Sequence, residues 1–298
     1  MSENTEEILD KYRMAGKIHA QLITESKQLV KPGLSFAEFY DRIAERTKEL
    51  GGFSAFPTNI SVNEQAAHST AMKSEERVFG ENDVVKIDIG VHVDGYVADG
   101  AVTIDLSGKY GRLVKASEDA LNAAIDTVKA GVSVREIGGV IEDTIHADGF
   151  MPVKNLMGHG LDAYTVHDDP SVPNCRIGGD HLLKEGQVIA VEPFATDGDG
   201  FVTDGSFCEI YSQIRHKPTR SPFVRKVLEK ISAYNGLPFS RRDLADCEKL
   251  DMALVQLQRD GIVTGYPVLV EASGGYVAQT EHTLIVTEDG CEVTTARD

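Results

Sequence analysis

A β-branched, largely apolar run, "VVKIDIGVHV" (84–93), leads into Asp94-Gly95, a strong two-residue hairpin signal. "YVADGAVTIDL" (96–106) reads as the returning strand. With Asp94-Gly95 in the turn, Asp99 falls opposite Gly90 and Asp88 opposite Ala101. Side chains alternate faces with period two, so Asp88 and Asp99 project from one face as diagonal neighbours. Two anions that close repel unless one is protonated or something positive lies between them. Taken alone, the pair is also what an ordinary solvated turn would show, since Asp is cheap on an exposed face. The opening stretch, residues 1–23, has the pattern of an amphipathic helix with an acidic first turn. "QVIAVEPF" (187–194) reads as an apolar, buried strand.

The pattern repeats. "KPGLSFAEF" (31–39) is echoed by "KAGVSVREI" (129–137), "GGF" (51–53) by "DGF" (148–150), "NDVVKID" (82–88) by "GQVIAVE" (186–192), and "DGYVADG" (94–100) by "DGFVTDG" (199–205). The order is the same in both halves. Each half reads as helix, Gly-bounded turn, helix, then antiparallel strands. This is the signature of an α+β domain with an internal pseudo-two-fold and helices covering one face of a curved sheet. The echo sets Asp88 against Glu192, so a pseudo-axis would bring their strands and acids to the centre. Residues 211–270 break the pattern. They read as three helices, locally basic from Arg215 to Arg242, before strand character returns in "YPVLVEASGGYVAQTEHTLIV" (266–286). A winged-helix-like nucleic-acid module is one reading of this insertion. A structural cap whose basic face balances an acidic protein is the plainer and preferred one.

The bulk numbers narrow the class. The 298 residues, 41% hydrophobic, can bury a sizeable core. No apolar run reaches membrane-spanning length, and no basic-then-apolar leader opens the chain, so a soluble cytoplasmic protein is expected. Four scattered cysteines without a Cys-x-x-Cys pair argue against a disulfide framework or a cysteine zinc site. A net charge of -17 disfavours binding to nucleic acid or an anionic membrane. It suits a halophilic cytoplasm, where salt screens self-repulsion, as well as a merely acidic mesophilic protein.

Five residues have the ligand types that hard or borderline divalent ions take: Asp88, Asp99, His159 in "LMGHGLDAYTVHD", Glu192 in "VIAVEPF" and Glu281 in "VAQTEHTLIV". Glu192 is the strongest local signal, because a carboxylate in so apolar a strand must be paired or metal-bound. His68 and His167 sit in turn-like, polar contexts, and His181 and His282 read as ordinary histidines.

Five stretches in order carry a family resemblance: "FPTNISVNEQAAH" (56–68), "KIDIGVHVDGYVADGAVT" (86–103), "NLMGHGLDAYTVH" (155–167), "AVEPFATDGDG" (190–200) and "QTEHT" (279–283). Over essentially its whole length the chain resembles the type 2 methionine aminopeptidases in their archaeal form. The resemblance implies the pita-bread fold, with a catalytic domain of residues 1–210 and 271–298 and a helical insertion at 211–270. It implies two divalent ions (Co, Mn, Fe or Zn) held by Asp88, Asp99, His159, Glu192 and Glu281, with Asp99 and Glu281 bridging. It makes Glu192 the general base. It places His68 and His167 at the scissile bond as catalytic and substrate-binding groups, and Phe56 in the methionine pocket. Sequence echo pairs Asp99 with Asp204, whereas the family motif puts Glu281 there, so Asp204 is expected outside the metal shell. The implied activity is removal of the N-terminal methionine from peptides and nascent chains, with a small second residue. A monomer without nucleic-acid partners is expected. The rivals are an Xaa-Pro peptidase of the same fold and a non-catalytic RNA- or protein-binding relative.

Overall fold

The computed structural model describes residues 5–297. Met1–Asn4, the start of the expected first helix, and Asp298 lie outside the described residues. Helices α1 (Thr5–Leu29) and α2 (Phe36–Glu49) precede the hairpin Val84–Val93/Tyr96–Asp105. Helices α3 (Gly111–Thr127) and α4 (Val134–Ala147) precede the strands Met157–Asp162, Thr165–Pro173 and Val188–Val191. Among the described residues every strand pairing is antiparallel, and no helix is long and apolar enough to cross a membrane.

The repeated sequence produces repeated local structure. Ser35 and Ser133 cap α2 and α4, each accepting from the backbone N–H three residues on (Glu38, 3.0 Å; Glu136, 3.1 Å). Such a cap stabilises a helix by about 1 kcal/mol. Before each cap sits a glycine in the left-handed region, Gly33 (φ 90°) and Gly131 (φ 84°). Here only a residue without a Cβ turns cheaply.

Each helix pair covers its own strands. Leu22, Ile23, Phe36, Phe39 and Ile43 pack on Ile60, Val85, Ile87 and Val91. Leu113, Leu121, Ile137, Ile141 and Ile145 pack on Val172, Ile189, Val191 and Leu284. The halves meet where Tyr96–Asp105 runs beside residues 277–286. Two threonine hydroxyls stand in for ladder bonds. Thr103 Oγ1 donates to Gln279 O and accepts from Gln279 N, both at 2.8 Å. Thr283 Oγ1 donates to Asp99 O and accepts from Asp99 N, both at 2.8 Å. Glu281 N donates to Ala101 O between them (3.1 Å).

The stretch read as three helices contains two, α5 (Pro222–Ile231) and α6 (Leu250–Arg259), with a single 3-10 turn at Ser232–Tyr234. Residues 241–249 form successive turns instead. Ser240 and Asp243 do cap each other reciprocally, Ser240 N to Asp243 Oδ2 at 3.0 Å and Asp243 N to Ser240 Oγ at 3.1 Å. The segment is then tied outward, because Tyr40 of α2 donates to Asp243 Oδ1 (2.9 Å). These helices share a core of Val224, Val227, Ile231, Leu254 and Leu257. They connect two long paired strands, Val202–Gln213 and Val263–Glu271.

Candidate metal centre

Turn chemistry sets the first half of the site. The hairpin register runs from Val93 with Tyr96 to Val84 with Asp105, which places Asp88 opposite Ala101 and Gly90 opposite Asp99. The second half comes from strands far apart in sequence. Val191 pairs with His282 and Phe194 with Gln279, so Glu192 and Glu281 face each other in the same register. His159 is delivered by the adjacent strand, opposite Ala190.

Four carboxylates and one imidazole therefore converge. His159 Nε2 lies 3.7 Å from Asp99 Oδ2 and 3.8 Å from Glu192 Oε1. Ligand atoms of Asp99, His159 and Glu281 lie within 4.8 Å of one another. Burial raises every acid. Asp88 is pushed up to about 7. Asp99 and Glu281 stand well above the carboxylate range by burial first and then by neighbouring carboxylates, and Glu192 by burial and Asp88. Burial, then His167, holds His159 neutral, down to about 3.

The arrangement is unfavourable without a cation. Asp88 Oδ1, Asp99 Oδ1 and Glu281 Oε1 are buried with no hydrogen-bond partner. His159 Nδ1 lies 3.2 Å from Gly160 O, which assigns its N–H there. The Nε2 lone pair then faces carboxylate lone pairs. This is a metal ligand's geometry, with the other ring nitrogen fixing the tautomer. Oxygen and imidazole donors suit Mn, Fe, Co or Zn. The residues fit divalent metal.

All eight residues expected from sequence line one cavity of about 210 Å³. His68 follows the strand Gln65–Ala67 with φ 63°, and its Nδ1 lies 3.2 Å from Pro267 O. Burial and His167 lower it to about 4. His167 is not in a turn. It belongs to the strand Thr165–Pro173, because the chain has already turned at Tyr164 (φ 56°). Its ring stays partly open to solvent, yet surrounding protein lowers its basicity. It stacks edge-on to His159, with centroids 4.6 Å apart. Asp204 is exposed and does not line the cavity. His181 is exposed, and His282 Nδ1 is engaged with Thr295 Oγ1 at 2.8 Å.

Three polar residues of the cavity or cluster escaped the sequence reading. Gln279 Nε2 lies 3.4 Å from Asp88 Oδ2, 3.3 Å from Glu192 Oε2 and 3.3 Å from Glu281 Oε2. Two N–H groups thus serve three carboxylates. The Tyr266 ring sits 5.7 Å from His68 and 6.1 Å from His167. Asn59 lies beside Asp88. Gln279 and Asn59 were within quoted motifs, two residues before Glu281 and three after Phe56, but nothing local marks an amide as facing a site.

The sequence matches metallopeptidase family M24 over residues 10–288. The chain belongs to metallopeptidase family M24. Within M24 the chain is similar to the methionine aminopeptidase of Archaeoglobus fulgidus, 46% identical over 291 residues, which are 97% of this chain and 99% of the relative. Two solved structures share the fold. The crystal structure of a Thermotoga maritima methionine aminopeptidase has a TM-score of 0.73 at 24% identity, covering 99% of this chain and 98% of that one. A thermophilic Arx1 has a TM-score of 0.88 at 19% identity, covering 100% of this chain and 93% of that one.

Proposed function

We propose that the chain is a methionine aminopeptidase dependent on two divalent cations, held by Asp88, Asp99, His159, Glu192 and Glu281. The observation that carries this is the cluster of four carboxylates, Asp99 and Glu281 buried and Asp88 and Glu192 partly so, with a neutral imidazole, opening on a cavity with Phe56 in its wall. When bound, the cations supply Lewis acidity that acidifies water and polarises a peptide carbonyl.

The chain's own groups do the rest. Glu192, part of whose side chain remains accessible, takes the proton of the attacking water and passes it to the leaving amine. His167 is neutral and donates its N–H to the carbonyl oxygen as charge develops there. With its Nδ1–H on Pro267 O, His68 keeps Nε2 as an acceptor for the scissile N–H. Phe56, in the apolar wall of the cavity, selects the methionine side chain. Packing beyond the bond restricts the second residue to small types. Residues 211–270 act as an insertion subdomain that walls the cleft through Pro238 and Tyr266. The protein works as a cytoplasmic monomer on N-terminal methionine peptides and nascent chains, without nucleic acid. Its acidity adapts it to a salty cytoplasm.

The test is metal analysis of protein purified without added metal, joined to hydrolysis of Met-Ala-Ser and of Xaa-Pro peptides before and after chelation. Metal-dependent cleavage of Met-Ala-Ser alone is expected. Cleavage confined to Xaa-Pro peptides, or no cleavage with metal present, would overturn the reading.

A further inference from the structure

One polar group in the cavity has no role in the scheme above. Asn59 is 6% exposed and lines the cavity. Its Oδ1 is buried without a hydrogen-bond partner. A buried acceptor left unmet is costly, so an unpartnered amide oxygen here calls for a ligand.

Its place in the sheet indicates which one. Asn59 is directly opposite Asp88 on one side and forms a bridge with Thr70 on the other. Directly opposed residues project from the same face, so Thr70, Asn59 and Asp88 form one row across the sheet. The next row holds Gly90 and Asp99, with the Phe56 ring lying over Gly90. Asn59 therefore stands at the seam between the apolar wall and the carboxylates. A substrate's first α-carbon must lie at that seam if its side chain rests on Phe56 and its carbonyl faces Glu192. The remaining polar substituent of that carbon is the free amine, on the Asp88 and Asn59 side. A carboxamide oxygen can accept an amine N–H whether or not the amine is protonated. Unlike a fifth carboxylate, it adds no charge to the cluster.

We propose that Asn59 is a specificity-determining residue whose carboxamide oxygen accepts an N–H of the substrate's free α-amino group. This rests on the methionine aminopeptidase reading, in which a bound cation would also take the free amine, and adds a protein group that reads that amine beside it.

The experiment measures three competitive inhibitors of Met-Ala-Ser hydrolysis on the metal-loaded enzyme: L-methionine, L-norleucine and the des-amino acid 4-(methylthio)butanoic acid. Wild type and the Asn59→Ala and Asn59→Ser variants are compared, with metal content and melting midpoint recorded for each. Asn59→Ala is expected to weaken L-methionine and L-norleucine roughly tenfold, the loss of one hydrogen bond, with the des-amino acid unchanged within about twofold. Equal loss for all three inhibitors would overturn the proposal, as would a loss seen for methionine but not norleucine, which would assign the amide to the thioether. Should neither variant fold, wild type still decides against it if L-methionine binds no tighter than the des-amino acid. Wild type inactive on Met-Ala-Ser with metal bound would overturn the underlying function instead.

Discussion

Replacing Gly90 by alanine tests whether the methionine pocket is built as described. An added Cβ would lie 2.2 Å from Phe56 Cε1 and 2.4 Å from Cδ1. Carbon atoms rest at about 3.5–4.0 Å, so the ring must withdraw by more than ~1 Å. It has somewhere to go. Phe56 separates the substrate cavity from a second one of about 510 Å³, lined on its far side by His92, Tyr164 and Tyr234. The strain is therefore partly relieved, and a stability loss of about 1–3 kcal/mol is expected, the ordinary range for overpacking. The larger effect falls on selectivity, because the wall against the methionine side chain has moved. One methylene of fit is worth about 1–3 kcal/mol, so kcat/KM for Met-Ala-Ser should fall roughly tenfold or more relative to substrates with bulkier first residues. The assay compares kcat/KM for Met-, norleucyl-, Leu- and Phe-Ala-Ser peptides, with metal content and melting midpoint as controls. Unchanged selectivity together with an unchanged midpoint would refute the packing of Phe56 over Gly90 as the pocket wall.

Glu192→Gln is expected to lower kcat by about 10²–10⁴ and weaken metal binding, since the residue serves as both base and ligand. His167→Ala should lower kcat while leaving metal content near wild type; metal loss in that variant would make His167 a ligand and the five-residue set wrong. His19 sits fully buried with Nε2 3.0 Å from Gly100 O, and burial followed by Arg297 lowers it to about 3. A histidine held neutral stabilises above its unfolded value near 6.5, and that stability is lost as pH falls toward about 3. Between pH 8 and 5 this single group costs about 2 kcal/mol, so His19→Gln should show that much less acid destabilisation in chemical denaturation, and an identical pH slope would contradict it. Titration with duplex and single-stranded oligonucleotides should show no micromolar binding at high salt. Tight binding surviving there would revive a nucleic-acid role for the basic insertion, because phosphate contacts weaken steeply with salt.

How much of this was readable from the residues alone follows from the range of each interaction. The hairpin register of Asp88 and Asp99 is local: Asp94-Gly95 forces the turn, and period-two alternation does the rest. The caps at Ser35 and Ser133 are local too, which is why the internal echo could announce two matching helix pairs. Motif order carried the family, and with it the eight residues that the cavity gathers. Residues 241–249 were legible only in part, because a Ser240–Asp243 cap looks like a helix start, whereas the hydrogen bond from Tyr40 that ties Asp243 outward comes from another core. Glu192 faces Glu281 only because strands separated by the whole insertion pair in one register, which no local pattern encodes. The same holds for the threonine bonds between the halves, for Gln279 reaching three carboxylates, and for the Asn59 Oδ1 left without a hydrogen-bond partner beside Asp88. Turns, caps and alternation are decided within a few residues of chain, so the sequence alone determines them. Which buried polar groups find partners is decided by the packing of distant strands, so only the tertiary structure could settle it.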